Sequence, residues 1–393
     1  MSPGPWLRLT ALGAVAGTLL AAGSGALQLG ATHRLLAAIA LPPLCALVAA
    51  ARVTYPRLAR GASLALVLFL AAAIVPSPLS LHVGLAALSC AAAAATAGAA
   101  FRGTPVDGGP WRDYVTLTKP RIMSLLLVTG ACGMIAGAHG WPGTFRFVAA
   151  MVGLALACGG ASALNHMLDA DIDRLMGKRT EHRPVAAGRV PPARALEFGL
   201  ALSALSFVLL ASALNLLTAV LALVGNLFYV VVYTRWLKRS TPQNIVIGGA
   251  AGAVPPLVGW AAATGQVTLP ALFLFMIVFL WTPPHFWALA LLLREQYAAA
   301  KVPMLPVVRG ERETVRQILW YTVVLLAASV VPFAVGSFGV VYLVGALLLG
   351  GIFLVLAARL RHETTKRGAA ILFHYSLLYL ALLFVAIAVD LSL

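Results

Sequence analysis

"RFVAAMVGLALACGGASALNHMLDADIDR", residues 146–174, runs an apolar stretch of about one membrane span into an asparagine and three aspartates. Asn165, Asp169 and Asp173 are spaced four apart. On a helix each such step turns only ~40°, so the three side chains form one ladder on one face. Asp171 falls about 200° from Asp169 by the same geometry and is expected to point elsewhere. Arg174, Lys178, Arg179 and Arg183 follow at once. Charge patterning alone also admits an acidic loop neutralised by neighbouring bases. The ladder's place at the end of a span argues for more, because ionisable groups at membrane depth are costly and usually functional.

Outward from that stretch the chain is 61% hydrophobic and 10% charged over 393 residues. A soluble domain carries roughly 25% charged residues, so lipid is the solvent here. Continuous Leu/Ala/Val runs near the ~20 residues that cross a bilayer recur throughout. They exclude a barrel, which needs short alternating strands. The runs predict an all-α polytopic protein with thirteen spans: 10–29, 35–51, 61–76, 81–100, 122–138, 146–166, 195–214, 217–234, 244–263, 268–292, 317–336, 339–357 and 370–389. The first is expected to stay as an uncleaved span.

The net charge of +16 could point to nucleic acid, but its distribution excludes that partner. With the N-terminus in the cytoplasm, every Lys and Arg except Arg34 and Arg146 lies on the cytoplasmic side, the positive-inside pattern. Cys45, Cys90, Cys132 and Cys158 all fall within spans and read as packing residues rather than a disulfide set. The expected location is a bacterial cytoplasmic membrane, with the site loops cytoplasmic.

"FRGTPVDGGPWRDYVTLTKPRI", residues 101–122, is polar and rich in Pro and Gly. It divides residues 1–100, a four-helix unit, from a nine-helix unit at 122–393, with 101–121 as the linker. In the second unit the long, chemically rich loops (167–194 and 293–316) are cytoplasmic. The outward connections are short turns.

Oxygen donors in a ladder, two of them anionic, suit Mg²⁺, which binds through one or two carboxylates plus substrate phosphates. Arg174, Lys178, Arg179 and Arg183, with Lys119 and Arg121 before the fifth span and Lys238 and Arg239 in the next cytoplasmic loop, suit phosphate oxygens. Metal carboxylates beside such cations make a diphosphate site. A diphosphate carried by a membrane-soluble body points to an isoprenoid diphosphate, whose departure leaves an allylic cation for a nucleophile. A transporter or binding protein for phosphorylated lipid is the alternative of a different class. Such proteins show repeated halves and broken helices at the midplane, whereas this ladder lies at one face and the halves are unlike.

The ladder matches the NxxxDxxxD motif of the UbiA-type prenyltransferases. "YVTLTKPRI", "RTEHRPVAAGRV", "YTRWLKRSTPQNIVIGGAAGAVPPLVGW", "FLWTPPHFWALAL" and "VPMLPVV" resemble the protoheme IX farnesyltransferase (heme O synthase) family within them, over about 113–393. The resemblance implies a nine-helix bundle, Mg²⁺ on Asn165, Asp169 and Asp173, and farnesyl diphosphate and heme b as substrates. Heme O would be the product, with water finishing the reaction. A quinone-precursor ring or a chlorin is the alternative acceptor. The resemblance also assigns Tyr233, Asn244, His285, Glu295 and Tyr297 to substrate binding. Heme A synthase or terminal oxidase assembly factors are the implied protein partners. The family usually has an acidic residue just before the Tyr ahead of "MLPVV". Here Gln296 stands there, so a second metal cluster needs Glu295 from a shifted position or Gln296 as a neutral ligand.

His285 lies within a span after two prolines and reads either as a heme contact or as a polar partner for a freed carbonyl. His139, His166, His182 and His362 are expected in loops, solvated. His33 and His82 open the second and fourth spans at similar depth. They read as interfacial caps or as a pair that ligates one heme iron, and the front unit resembles half of heme A synthase.

Overall fold

The computed structural model describes residues 111–393. The spans expected at 10–29, 35–51, 61–76 and 81–100, with His33 and His82, lie outside the described residues. The described chain forms α1 (Trp111–Leu117), α2 (Pro120–Gly137), α3 (Thr144–Leu168), α4 (Ala170–Leu175), α5 (Pro192–Ala213), α6 (Leu216–Ser240), α7 (Asn244–Thr264), α8 (Leu269–Leu292), α9 (Arg294–Ala299), α10 (Leu305–Val308), α11 (Gly310–Ala334), α12 (Val340–His362) and α13 (Lys366–Asp390). Among the described residues there is no strand. Nine of these helices, α2, α3, α5 to α8 and α11 to α13, are long and apolar enough to cross a membrane. This is a multi-pass membrane protein. Exposed Val224, Leu348, Ile352 and Val385 are what a lipid-facing surface requires.

The nine spans fall where the apolar runs predict them. Several are longer than expected: the run at 217–234 extends to Ser240, and that at 317–336 begins at Gly310. Charged residues at helix ends explain the shortfall, because hydropathy falls before the backbone stops being helical. Within the expected linker, α1 is a short helix. The ladder stretch departs from a single helix as well. α3 ends at Leu168, Asp169 takes φ −94° and ψ 4°, and α4 resumes at Ala170. The turn across the break survives, since the Asp173 amide donates to the Asp169 carbonyl at 2.8 Å.

The described residues fall into two compact units. The first holds 111–120, 155–167 and 183–223. Here Tyr114 packs edge-on against Phe198, with centroids 5.2 Å apart, and the Ser162 hydroxyl donates to the Leu117 carbonyl at 2.6 Å. Arg189 forks onto Asp113 at 3.0 Å, which ties the loop before α5 to α1.

The second unit holds 121–154, 168–182 and 224–393. α8 packs on α7, α11 and α13, and α12 packs on α11 and α13. Phe353, Tyr342, Tyr379 and Phe384 are fully buried, and the Tyr342 hydroxyl donates to the Ser329 carbonyl at 2.6 Å. Close backbone approach explains part of the Gly-rich sequence of α7. A methyl at Gly259 would strike the Gly130 carbonyl of α2, so only the smallest residue permits this crossing.

Candidate functional site

In the second unit, chemistry gathers where α3 gives way to α4. Asp169 is 0% exposed and Asp173 is 1% exposed. Lys238, near the end of α6, places its Nζ 2.5 Å from Asp169 Oδ2. The next residue, Arg239, grips a different carboxylate. Its Nη1 and Nη2 donate to the Asp171 oxygens at 2.7 Å each, and Nη2 also donates to the Leu168 carbonyl at 2.6 Å. Consecutive cations thus hold both sides of the break, Lys238 on the buried side and Arg239 on the exposed side. The Arg239 guanidinium holds the Asp171 carboxyl down to about 2. The Thr180 hydroxyl donates to the Asp173 carbonyl at 2.6 Å and folds the following loop back on α4.

A local change of helical pitch presents these cations. Residues Phe228–Leu237 of α6 form a π-helix, a rare element that is frequent at functional sites. It stacks Tyr229 on Tyr233 at 5.5 Å. Tyr233 shares its electrostatic neighbourhood with Tyr229, Tyr297 and the Asp169 carboxylate. Its ring rests over Gly248 of α7, where a methyl would collide with it. Asn244, at the start of α7, is 0% exposed and donates from Nδ2 to the Thr241 carbonyl at 2.7 Å. Tyr229 and the π-segment carry no sequence signal, because a run of apolar and aromatic residues reads the same in either pitch.

In the first unit, the Lys119 Nζ donates to Asn165 Oδ1 at 2.6 Å, and Asn165 is 2% exposed. Lys119 has φ +51°, a left-handed conformation that is uncommon for a residue other than glycine. The following Pro120 disfavours the right-handed helix for it. Strain of this kind persists where a side chain must be aimed.

The remaining sequence candidates are placed as follows. Arg121, Arg174, Lys178 and Arg179 are exposed, and Arg183 is half-buried. Glu295 is exposed and pairs with Lys366 at 3.5 Å. The Gln296 Oε1 is buried, so of the two residues it is the amide that turns inward. His285 is buried in α8, with Nδ1 2.6 Å from the Ser376 hydroxyl of α13. The freed-carbonyl alternative is therefore not what is seen. His166 corrects an expectation: it lies within α3 and is 2% exposed rather than solvated in a loop, because the helix runs on to Leu168.

Among the described residues, no three His, Cys, Asp or Glu side chains form a closed metal cage. Two buried carboxylates one turn apart still fit Mg²⁺, which keeps waters and borrows phosphate oxygens. They fit zinc poorly, which takes His and Cys.

Residues 126–385 match the UbiA prenyltransferase family. The chain is 52% identical over 283 residues to a protoheme IX farnesyltransferase of Symbiobacterium thermophilum, covering 72% of this chain and 94% of that protein. It is 51% identical over 280 residues to one of Marinobacter nauticus, covering 71% and 92%. A third, from Thermus thermophilus, is 51% identical over 292 residues, covering 74% of this chain and 48% of that protein. The chain thus spans about half the length of some curated relatives. Among solved structures, a digeranylgeranylglyceryl phosphate synthase has a TM-score of 0.60 at 19% identity, covering 72% of this chain and 98% of that one. A UbiA homolog from Archaeoglobus fulgidus bound to GPP and Mg²⁺ has 0.53 at 17% identity, covering 70% and 99%. Both likenesses are of fold.

Proposed function

We propose that this chain, which belongs to the UbiA prenyltransferase family, transfers the farnesyl group of farnesyl diphosphate to a vinyl group of heme b, with water completing heme O. The observation that carries this reading is the buried Asp169 carboxylate paired with Lys238, with buried Asp173 one turn on, at the end of a membrane helix. Two acids and a base out of water are costly unless a ligand uses them. The relatives named as protoheme IX farnesyltransferases support the acceptor.

Asp169 and Asp173, with Asn165 one helical step earlier in sequence, would hold Mg²⁺. When bound, the ion draws charge from the departing diphosphate. Lys238, beside Asp169, would donate to the phosphate oxygens. The charge pattern of the sequence also assigns Lys119 to phosphate oxygens. The stacked Tyr229–Tyr233 pair offers an aromatic face to the allylic cation. Arg174, Lys178, Arg179 and Arg183 would draw the anionic head towards the site. Arg239 is committed to Asp171 and the Leu168 carbonyl, so it shapes the break instead of binding phosphate. The site faces the cytoplasm of a bacterial inner membrane on the positive-inside argument, and the product would pass to heme A synthase or a terminal oxidase.

The test is incubation of the purified protein with farnesyl diphosphate, heme b and Mg²⁺, with the product identified by mass. The expected product is heme b plus farnesyl plus one water. Diphosphate release with a quinone-precursor ring or chlorin, but none with heme, moves the acceptor. Failure to release diphosphate with any acceptor points to a lipid-binding or transport role.

A further inference from the structure

Ser376 on α13 receives two contacts from α8. The Trp281 indole donates to its carbonyl at 2.8 Å, and His285 Nδ1 lies 2.6 Å from its hydroxyl. That hydroxyl also donates to the Phe373 carbonyl at 2.6 Å. A serine hydroxyl has one proton, and here Phe373 takes it. The hydroxyl oxygen can then only accept from His285, so the proton of the neutral imidazole sits on Nδ1 and the lone pair on Nε2. The ring is held flat as well, stacked on Trp281 at 4.3 Å and on Phe373 at 4.8 Å.

The cluster is connected to the diphosphate end by direct packing within the second unit. Tyr233, near Asp169, lies over Gly248, and the adjacent Gly249 lies against Thr282 of α8. His285 is three residues past Thr282, on the same helical face.

We propose that His285 Nε2 accepts the proton of the water that completes the product, and that Ser376 is the positioning residue that fixes the required tautomer. This rests on the heme-farnesylating reading. The C1–O bond of farnesyl diphosphate breaks with its electron pair on the diphosphate, and the vinyl π pair forms the bond to C1. The cation then lies on the vinyl carbon next to the porphyrin. A water lone pair bonds to that carbon, and its proton goes to Nε2. Without such an acceptor the oxonium reverts, and the cation passes a proton from the neighbouring carbon to the released diphosphate, giving an alkene one water lighter.

The experiment measures diphosphate release and the ratio of hydrated to dehydrated farnesyl heme in the full-length wild type, His285→Gln, Ser376→Ala and Ser376→Thr. His285→Gln is expected to shift the ratio about a hundredfold towards the alkene, the low end for a positioned proton acceptor. Ser376→Ala shifts it less and in the same direction, and Ser376→Thr restores it. The serine pair keeps the test open if the histidine variant does not fold. Equal loss of release and of both products in His285→Gln and Ser376→Ala overturns the proposal. So does an unchanged ratio with an altered absorption spectrum of bound heme, which makes His285 an iron ligand. A wild type that forms no farnesyl heme overturns the functional reading itself, and this proposal with it. A wild type that makes hydrated product, beside variants that keep its ratio, overturns this proposal alone.

Discussion

The two ends of the membrane helices in the second unit use the same residue types for different work. At the end that carries the turns after α2, α7 and α11, charged groups serve the backbone. Asp390 accepts from the amides of Gly339 and Tyr342 at 2.5 and 3.2 Å, Arg146 donates to the Ala262 carbonyl at 3.0 Å, and His139 meets the Leu391 carbonyl at 3.0 Å. These groups satisfy helix ends that would otherwise lack partners. At the opposite end, Lys238 and Arg239 meet carboxylates on a neighbouring segment. A carboxylate given to backbone amides is committed to structure. One held by a flexible lysine can be released to a ligand, so the kind of partner, and not burial, separates scaffold from site.

The hardest way to break that contrast is at Asp169. Asp169→Asn keeps the shape and removes the charge. Farnesyl transfer is expected to fall about a thousandfold, the upper range for loss of one preorganised electrostatic group, while the protein still inserts into the membrane. A variant that turns over normally would place the metal and diphosphate elsewhere. A smaller effect sharpens the role of Arg239. Arg239→Ala and Asp171→Asn are each expected to slow transfer about tenfold, and the double variant no more than either alone, as for one shared contact. If Asp171→Asn is harmless while Arg239→Ala raises KM for farnesyl diphosphate, the arginine binds phosphate after all. Because Arg239 depresses the Asp171 carboxyl to about 2, the clamp is complete above the ordinary carboxylate range. It is lost only as pH falls through about 2, so between pH 5 and 8 this pair should add no pH dependence to transfer.

Much of this was legible before any coordinates. Among the described residues, nine of the thirteen apolar runs located nine helices, because in lipid a backbone must satisfy itself and length alone identifies a span. The acidic stretch was legible from its fourfold spacing, and Asp169 and Asp173 are both buried, one turn apart. What sequence could not show was pairing. Asp171, Asp169, Lys238 and Arg239 read as a pool of charge until the π-helix sets which cation meets which acid. Ser376 was invisible, a lone serine in an apolar helix whose meaning comes only from His285 on another helix. His166 was misread for a local reason: polar residues suggested a loop, but the α3 backbone continues past them.

The smallest predicted effect tests the scaffold end alone. Asp390, the last residue of α13, caps α12 from outside it, accepting amides at the N-cap Gly339 and, three residues on, Tyr342. A carboxylate there satisfies two of the orphan donors of the helix start and complements its positive end. Asp390→Ala leaves both amides without this partner, at a cost of about 1 kcal/mol, typical for losing an N-cap. Asp390→Asn retains one acceptor oxygen and should cost a few tenths of a kcal/mol on the same scale. Thermal unfolding in one detergent measures both, and kcat for farnesyl transfer should stay at wild type in each. A fall in kcat without a fall in stability would show that these turns reach the chemistry, and the division between the two ends would not hold.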